Sequence, residues 1–245
     1  MRSTLDQTIG GIVLDRSPIE ARPQSARALC SFSGGKDSCL ALWRAQQLGF
    51  DVRTLLVMFE EAGERSRSHA LPAHLLSRQA SALGLELMIR RASWADYEQV
   101  FTAALCELKE REYASAVFGD IDLQAHRDWE ERVCAAAGLA PVLPLWHRDR
   151  RELAHEVIAS GFRCVVVCVD SKFLPDEFCG REYDESFLAD LPAEVDACGE
   201  NGEFHTFVYD GPNFSKPVEF EICGLEPYVA PAEYGAGRYL FASLR

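Results

Sequence analysis

The sequence is short of basic residues. Its 245 residues include 25 lysines and arginines against 38 aspartates and glutamates, which gives a formal net charge of −13. Binding to nucleic acid over an extended surface requires a basic face that displaces phosphate counterions, so we expect no nucleic-acid partner. A small anion site stays open, because backbone amides at the start of a helix bind phosphate whatever the net charge.

Long apolar runs and paired cysteine motifs are also missing. No run approaches the roughly 18 apolar residues that a membrane span needs, and the first residues lack the apolar core of a signal peptide. The nine cysteines are odd in number and include no Cys-x-x-Cys pair, which favours buried free thiols over disulfides or a zinc knuckle. We therefore expect a cytoplasmic protein without a membrane partner.

The chain does contain a regular alternation of apolar strands and helical segments. Continuously apolar runs, rather than alternating ones, occur at residues 28–33, 52–59, 85–89, 115–119 and 162–170. Helical spacing of apolar residues fills the intervals between them. This pattern predicts an α/β fold with a doubly wound parallel sheet that is covered on both faces.

The predicted organisation has three parts. Residues 1–27 contain prolines and charges without a sustained period and are interpreted as a loosely ordered N-terminal arm. Residues 28–170 hold the doubly wound domain. Proline and glycine then interrupt the pattern, and residues 171–245 are predicted to be a smaller C-terminal α+β region.

The strongest local signal is the segment Ser33-Gly34-Gly35-Lys36-Asp37-Ser38, which follows a strand and opens a helix. Glycines let the backbone approach a phosphate, and the helix start presents free amides and a positive dipole end. A plain strand-to-helix turn would need only the glycines and a capping residue. The segment is not a Walker A loop, because Lys36 precedes an aspartate rather than Ser or Thr.

Two further places carry candidate polar groups. Gly119 and Asp120 end an apolar strand, where ligands of doubly wound folds bind, and Asp120 is a candidate for holding Mg²⁺, although a turn residue or helix cap explains it equally simply. The stretch CGENGEFHTFV brings acid and base groups, Glu200, Glu203 and His205, into one bent turn. Taken alone, such a turn is more often structural.

The motifs together resemble a known family. The hexapeptide resembles the SGGxDS loop of the PP-loop ATP pyrophosphatases, whose sheet is of the HUP type. With GDI-x₄-HRDWE, PLW and CGENGEFHTFV, over about residues 28–222, the chain is similar to the diphthine–ammonia ligase family. The resemblance implies that ATP activates a carboxylate as an acyl-adenylate, giving AMP and pyrophosphate through attack by ammonia. In the named reaction the carboxylate belongs to diphthine, a modified histidine of elongation factor 2.

The resemblance also implies roles for particular residues. Ser33, Gly34, Gly35, Lys36, Asp37 and Ser38 would bind the phosphates of ATP. Gly119, Asp120 and His126 would lie beside the nucleotide, with Asp37 and Asp120 holding Mg²⁺. Glu200, Asn201, Glu203 and His205 would line the acceptor or ammonia side. The implied catalytic residues are Lys36, Asp37, Glu200, Glu203 and His205. The implied partners are ATP, ammonia and a carboxylate acceptor, which is a protein if the family's activity holds, and a homo-oligomer is left open.

Two other functions use the same loop. Sulfur transfer to tRNA would draw on thiols such as Cys39, Cys179 and Cys198, but the acidic charge and the absent Cys-x-x-Cys pairs oppose it. A nucleotide-binding module without chemistry would have no use for the GENGEFHTF block. The polar segment that contains His69 and His74 is predicted to be a mobile loop rather than part of the site.

Overall fold

The computed structural model describes residues 26–61, 63, 65–67, 69–230 and 237–245. Residues 1–25 of the predicted N-terminal arm lie outside the described residues. Within these ranges no helix is both long and apolar enough to cross a bilayer. All nine cysteines lie in the described ranges as free thiols, seven of them buried, as the sequence predicts.

Five parallel strands form the first sheet, in the spatial order β3-β2-β1-β4-β5. The strands are β1 Arg27–Ser31, β2 Asp51–Glu60, β3 Glu86–Ala92, β4 Tyr113–Val117 and β5 Ala140–Val142. The helices that alternate with them are α1 Lys36–Gln47, α2 Ala73–Leu83, α3 Tyr97–Glu110, α4 Gln124–Ala137 and α5 Arg150–Ala159. The order of the strands reverses between β1 and β4, so the predicted doubly wound α/β fold is confirmed.

The apolar strands are continuous because helices cover both faces of this sheet. Successive side chains of a strand point to opposite faces. In β1, Ala28 and Cys30 belong to one buried cluster, which includes residues of α1 and α2. Leu29 belongs to the other, which includes residues of α3 and α4. Neither face of β1 meets water, so neither needs polar residues.

A second sheet is antiparallel and has the order β7-β6-β9-β8. Its strands are β6 Arg163–Asp170, β7 Phe204–Asp210, β8 Ile222–Val229 and β9 Arg238–Leu244. Between β6 and β7 lie a short 3₁₀ helix, Asp176–Phe178, and helix α6, Glu185–Asp190. The predicted smaller C-terminal α+β region is thereby confirmed.

The assignment of residues 162–170 to the parallel sheet is wrong. Strand β6 pairs antiparallel with β7 and with β9, so it opens the second sheet rather than ending the first. Every residue of β6 after Arg163 is buried. A continuous apolar run therefore reported burial on both faces correctly, but it carries no information about strand direction.

The second sheet is fastened to the Gly-rich turn of the first. The amide of Val208 on β7 donates to the carbonyl oxygen of Gly34 at 3.0 Å. The fully buried side chain of Gln79, on α2, donates from Nε2 to the carbonyl oxygens of Gly34 and Val208 at 2.9 and 2.6 Å. Strand β7 therefore lies against the predicted phosphate loop and forms part of its surroundings.

Candidate active site

The predicted phosphate loop is a tight turn between β1 and α1. Gly34 adopts a φ of +84°, a conformation that glycine tolerates and other residues rarely adopt. The hydroxyl oxygens of Ser33 and Ser38 lie 3.1 Å apart, and the amide of Gly35 donates to Ser33 Oγ at 3.2 Å. Helix α1 begins at Lys36, so the positive end of its dipole lies at this turn.

The end of β4 approaches this loop very closely. A Cβ atom at Gly119 would lie 3.0 Å from the carbonyl carbon of Asp37 and from the backbone nitrogen of Ser38. A side chain at this position would force the start of α1 to shift by a few tenths of an ångström, so glycine favours the close approach. Asp120, the next residue, is thereby held beside the loop.

The ammonium group of Lys36 is committed to partners within the protein. The side chain is 3% exposed, and Nζ lies 2.7 Å from Asp37 Oδ2 and also donates to the carbonyl oxygen of Cys198. Burial alone would lower the pKa of Lys36, but the Asp37 carboxylate outweighs it and raises that pKa. Lys36 therefore neutralises Asp37 and ties the loop to the segment that precedes β7.

Asp120, His126 and Glu130 form a hydrogen-bonded group. His126 Nδ1 lies 2.6 Å from Asp120 Oδ1, and this bond raises the pKa of His126. Burial would raise the pKa of Asp120, but hydrogen bonds from His126 and Glu130 outweigh it, so that pKa is lowered. Glu130 is 2% exposed, and burial together with its hydrogen bond to Asp120 raises its pKa to about 10. Glu130 is thus a neutral acid that donates to a charged one.

Glu130 was missed in the sequence analysis although a signal was present. His126 and Glu130 are four residues apart on α4, and that spacing places two side chains on one face of a helix. Glu130 Oε2 is buried without a hydrogen-bond partner among the described residues. An unpaired buried oxygen of this kind is uncommon in a protein interior and marks a site of interest.

The two glutamates of residues 199–203, the GENGE turn, have different surroundings. Glu203 is 1% exposed, and its carboxylate accepts from the amides of Asp196 and Asn201 at 3.1 and 2.9 Å and from Asn201 Nδ2 at 2.9 Å. It fastens the turn internally. Glu200 instead lines the cavity, where burial and the nearby carboxylates of Asp37 and Asp120 raise its pKa to about 8.

Two histidines pack together on the phosphate loop. The rings of His69 and His205 have centroids 4.7 Å apart, and His69 Nδ1 lies 2.8 Å from the carbonyl oxygen of Thr206. Burial lowers the pKa of His69 to about 4 and the pKa of His205 well below its ordinary value. Both rings are therefore neutral at pH 7. The prediction that the segment containing His69 lies outside the site is therefore wrong for His69, whereas His74 lies on α2. The segment gave no periodic signal from which the contact of His69 could be predicted.

These groups surround one cavity of about 540 Å³, next to the carboxyl ends of β1, β2 and β4. The predicted residues that line it are Ser33, Lys36, Asp37, Ser38, Gly119, Asp120, His126, Glu200 and His205. Gly34 and Gly35 shape the turn behind it, and Asn201 and Glu203 are not among the lining residues. Their individual roles remain predictions.

The donor set suits Mg²⁺ bound to a phosphate ligand rather than a metal held by protein alone. Among the described residues, no cluster of three or more His, Cys, Asp or Glu side chains is placed to hold a metal ion. Mg²⁺ usually takes one or two carboxylates and completes its shell with waters and phosphate oxygens. Asp37 and Asp120, which both line the cavity, fit that requirement.

Fold and cavity together define a class. A doubly wound α/β protein with its ligand cavity at the point where the strand order reverses is typical of proteins that bind phosphate-containing small molecules. Comparison with known proteins then identifies the family. Residues 26–141 match the diphthamide synthase N-terminal domain and residues 149–228 the diphthamide synthase C-terminal domain. The chain belongs to this family.

Curated relatives carry a consistent name. Diphthine–ammonia ligase from Homo sapiens is 30% identical over 219 residues, which cover 78% of this chain and 82% of that protein, and the Bos taurus protein gives the same figures. The Schizosaccharomyces pombe protein of that name is 26% identical over 215 residues, covering 78% of this chain and 36% of its own length. The expected enzyme class, a ligase, is confirmed.

Chains of several solved structures also match, and one of them is described as a predicted subunit of tRNA methyltransferase from Methanocaldococcus jannaschii. It is 15% identical with a TM-score of 0.44, and the match covers 76% of this chain and 98% of that one.

Proposed function

We propose that this ligase forms an amide at the expense of ATP. An acceptor carboxylate attacks the α-phosphorus of ATP and pyrophosphate leaves; ammonia then attacks the acyl-adenylate, and AMP leaves with the amide formed and one proton released. The observation that carries the proposal is the meeting, in one cavity, of the phosphate loop and the GENGE turn with Glu200 facing inward. One half of the cavity suits the nucleotide, and the other suits the attacking amine.

The loop between β1 and α1 is assigned to the phosphates. Ser33 and Ser38 offer hydroxyl groups there, and the start of α1 offers its dipole. Among the described lining residues, Asp37 and Asp120 are the charged carboxylates, since Glu130 is neutral and the pKa of Glu200 is raised to about 8, and Lys36 and Arg67 are the two Lys or Arg side chains. These side chains do not balance the charge of a triphosphate, so a divalent cation would have to accompany it. Mg²⁺, held by Asp37 and Asp120, would screen the phosphate charge and favour departure of pyrophosphate.

Glu200 is assigned to the ammonia side. Aminolysis needs neutral ammonia, so a group near the adenylate must take a proton from ammonium. The raised pKa of Glu200, about 8, makes its carboxylate a stronger base than an ordinary one. His205 and His69 are neutral imidazoles that line the same cavity and can accept hydrogen bonds from the incoming amine.

Sulfur transfer has less support. It requires a thiolate, and burial raises the pKa of the thiols of Cys39, Cys179 and Cys198. Cys198, which lines the cavity, donates from Sγ to the carbonyl oxygen of Arg150. These thiols are therefore poorly suited to attack an adenylate.

The proposal is tested by product analysis with Mg-ATP, ammonium and elongation factor 2 carrying diphthine. We expect AMP, pyrophosphate and amide in equal amounts, with amide formation dependent on ammonium and on the acceptor. Formation of ADP, or turnover of ATP that ignores both co-substrates, would contradict it.

A Glu200→Gln variant separates the two half-reactions. Loss of the base should reduce amide formation by about 10²-fold or more, while acceptor-dependent exchange of pyrophosphate into ATP continues. Glu203→Gln is the matched comparison from the same turn. Because Glu203 holds the turn together, its replacement should lower the thermal midpoint and both half-reactions in parallel. If a stably folded Glu200→Gln variant loses pyrophosphate exchange and amide formation equally, Glu200 is not the base that takes a proton from ammonium.

A further inference from the structure

Arg67 lies on the cavity wall without a role in the mechanism given above. It belongs to the segment between β2 and α2, and its amide donates to the carbonyl oxygen of Met58 in β2 at 3.2 Å. Its side chain lines the same cavity as the phosphate loop and Glu200. The segment has no periodic pattern, so the sequence alone did not single out this residue.

The guanidinium of Arg67 is held in place by aromatic rings. Its central carbon lies 4.2 Å from the ring centroid of Trp94 and 5.7 Å from that of Tyr97. The NH2 group donates to the carbonyl oxygen of Ala92. Stacking and this bond fix the plane of the group, because a guanidinium over an aromatic face is attracted by the ring's negative charge distribution.

Part of its hydrogen-bonding capacity is nevertheless unused. Nε of Arg67 is buried and has no hydrogen-bond partner among the described residues. A buried cationic donor without an acceptor is costly, and it is normally satisfied by a ligand, a water or an ion. No carboxylate within the described residues forms an ion pair with Arg67, whereas Arg65, two positions earlier, lies 3.9 Å from Glu226.

The charged side chains that line the cavity also indicate that Arg67 is free to bind an anion. Lys36 and Arg67 are the two Lys or Arg side chains among the described lining residues. The Lys36 ammonium is already paired with Asp37 and with the Cys198 carbonyl. The guanidinium of Arg67 is therefore the cationic group in this lining that is left to meet an anionic ligand.

We infer that Arg67 is an anion-binding residue of this site and donates hydrogen bonds to ligand oxygens. The inference rests on the proposed function, which supplies two anions of suitable chemistry, a phosphate group of ATP and the carboxylate of the acceptor. A planar guanidinium binds either one through two parallel hydrogen bonds. Trp94 and Tyr97 act as positioning residues that hold the guanidinium.

Titration calorimetry with Mg-ATP, without an acceptor, compares the native chain with Arg67→Gln and Arg67→Lys. Loss of a charge-assisted contact should raise the Kd for ATP at least about tenfold in Arg67→Gln. Arg67→Lys should recover part of the loss, because it keeps the charge but not the fork. Arg65→Gln is the matched control from the same segment and should leave the Kd unchanged. Thermal unfolding checks that each variant is folded.

The outcomes show whether Arg67 binds a phosphate of ATP or the acceptor carboxylate. They also test the Arg67 inference separately from the proposed reaction. If Arg67→Gln leaves the Kd for ATP unchanged but raises the KM for elongation factor 2 carrying diphthine about tenfold or more, the anion is the acceptor carboxylate. If neither quantity changes in the folded variant, the inference is wrong. A native chain that binds ATP through Arg67 but forms no amide would overturn the proposed reaction alone. A native chain that does not bind ATP would overturn both.

Discussion

At the scale of single residues, the cavity contains acids whose surroundings give them different charges. Glu130 is buried, and its pKa is raised to about 10. Asp120, which it contacts, has a lowered pKa because His126 and Glu130 both donate to it. Two carboxyl groups in contact therefore share one proton at neutral pH. Asp120 therefore keeps the negative charge that its proposed role toward Mg²⁺ would need.

Glu130 predicts how stability responds to pH. Its folded pKa of about 10 exceeds the ordinary value of 4.5, so above pH 4.5 the folded chain keeps a proton that the unfolded chain loses. The free energy of unfolding should therefore fall as pH rises from about 5 to about 9, by up to ~1.4 kcal/mol per pH unit from this group. Glu130→Gln cannot lose a proton, so its stability relative to the native chain should rise over this range.

Urea unfolding of the native chain and of Glu130→Gln at about pH 5, 7 and 9 measures this difference. Glu131→Gln serves as the control, because Glu131 is the next residue and is exposed. If the curves for the native chain and Glu130→Gln stay parallel, Glu130 is ionised in the folded protein.

Glutamates 200 and 203 illustrate what a motif can predict. The GENGE turn identified the right segment, and both residues were expected to line the acceptor side. The side chains differ because Glu203 meets three donors inside the turn, while Glu200 meets the cavity. Which of two acids three residues apart points inward depends on the turn's hydrogen bonds, and composition does not reveal these.

At the scale of elements, Arg150 joins two walls of the site. This first residue of α5 donates to both carboxylate oxygens of Asp122, at 2.7 and 2.5 Å, and to Asp196 at 2.9 Å. Asp122 belongs to the loop that carries Asp120. Asp196 in turn accepts from the amide of Glu200 at 2.9 Å. One guanidinium thus fixes the β4–α4 loop and the GENGE turn relative to each other.

Removal of this link should loosen the ammonia side more than the nucleotide side. We expect Arg150→Leu to lower the free energy of unfolding by about 1–3 kcal/mol, because it leaves two carboxylates without their shared cation. Amide formation should fall further than ATP affinity, since Glu200 loses its support while the phosphate loop does not.

Chemical denaturation, ATP titration and amide assays on one preparation measure the three effects of Arg150→Leu. Arg148→Leu is the control: Arg148 lies 3.8 Å from Glu152, whose side chain is 70% exposed, so its loss should cost less than about 1 kcal/mol. If Arg150→Leu and Arg148→Leu have the same free energy of unfolding, ATP affinity and rate of amide formation, the contacts of Arg150 with Asp122 and Asp196 do not position the site.

At the scale of the whole molecule, the two sheets share one buried cluster. Residues from β1, α1 and α2 and from β6 and β7 belong to it. Polar contacts reinforce the junction, through the Val208 amide on Gly34 and the Lys36 ammonium on Cys198. The cavity lies at this junction, so neither sheet alone would present the complete candidate site.

We therefore predict that the two sheets unfold together in one cooperative transition. Tryptophan fluorescence reports on the first sheet and its surroundings, because the four tryptophans fall within residues 43–146. Hydrogen exchange of peptides from β6 and β7 reports on the second. Both should give the same denaturant midpoint, and Mg-ATP should raise both midpoints together. Exchange in β6 and β7 at clearly lower denaturant would show that the second sheet opens independently.

The doubly wound fold, the Gly-rich loop and the family could be predicted from the sequence, because apolar runs and short motifs are local properties of a chain. Three features required the folded structure: that β6 joins the second sheet, that the Lys36 ammonium pairs with Asp37, and that Arg67 and His69 face the cavity. These depend on contacts between segments far apart in sequence. A pattern reports whether a residue is buried, but only the packed chain decides what lies next to it.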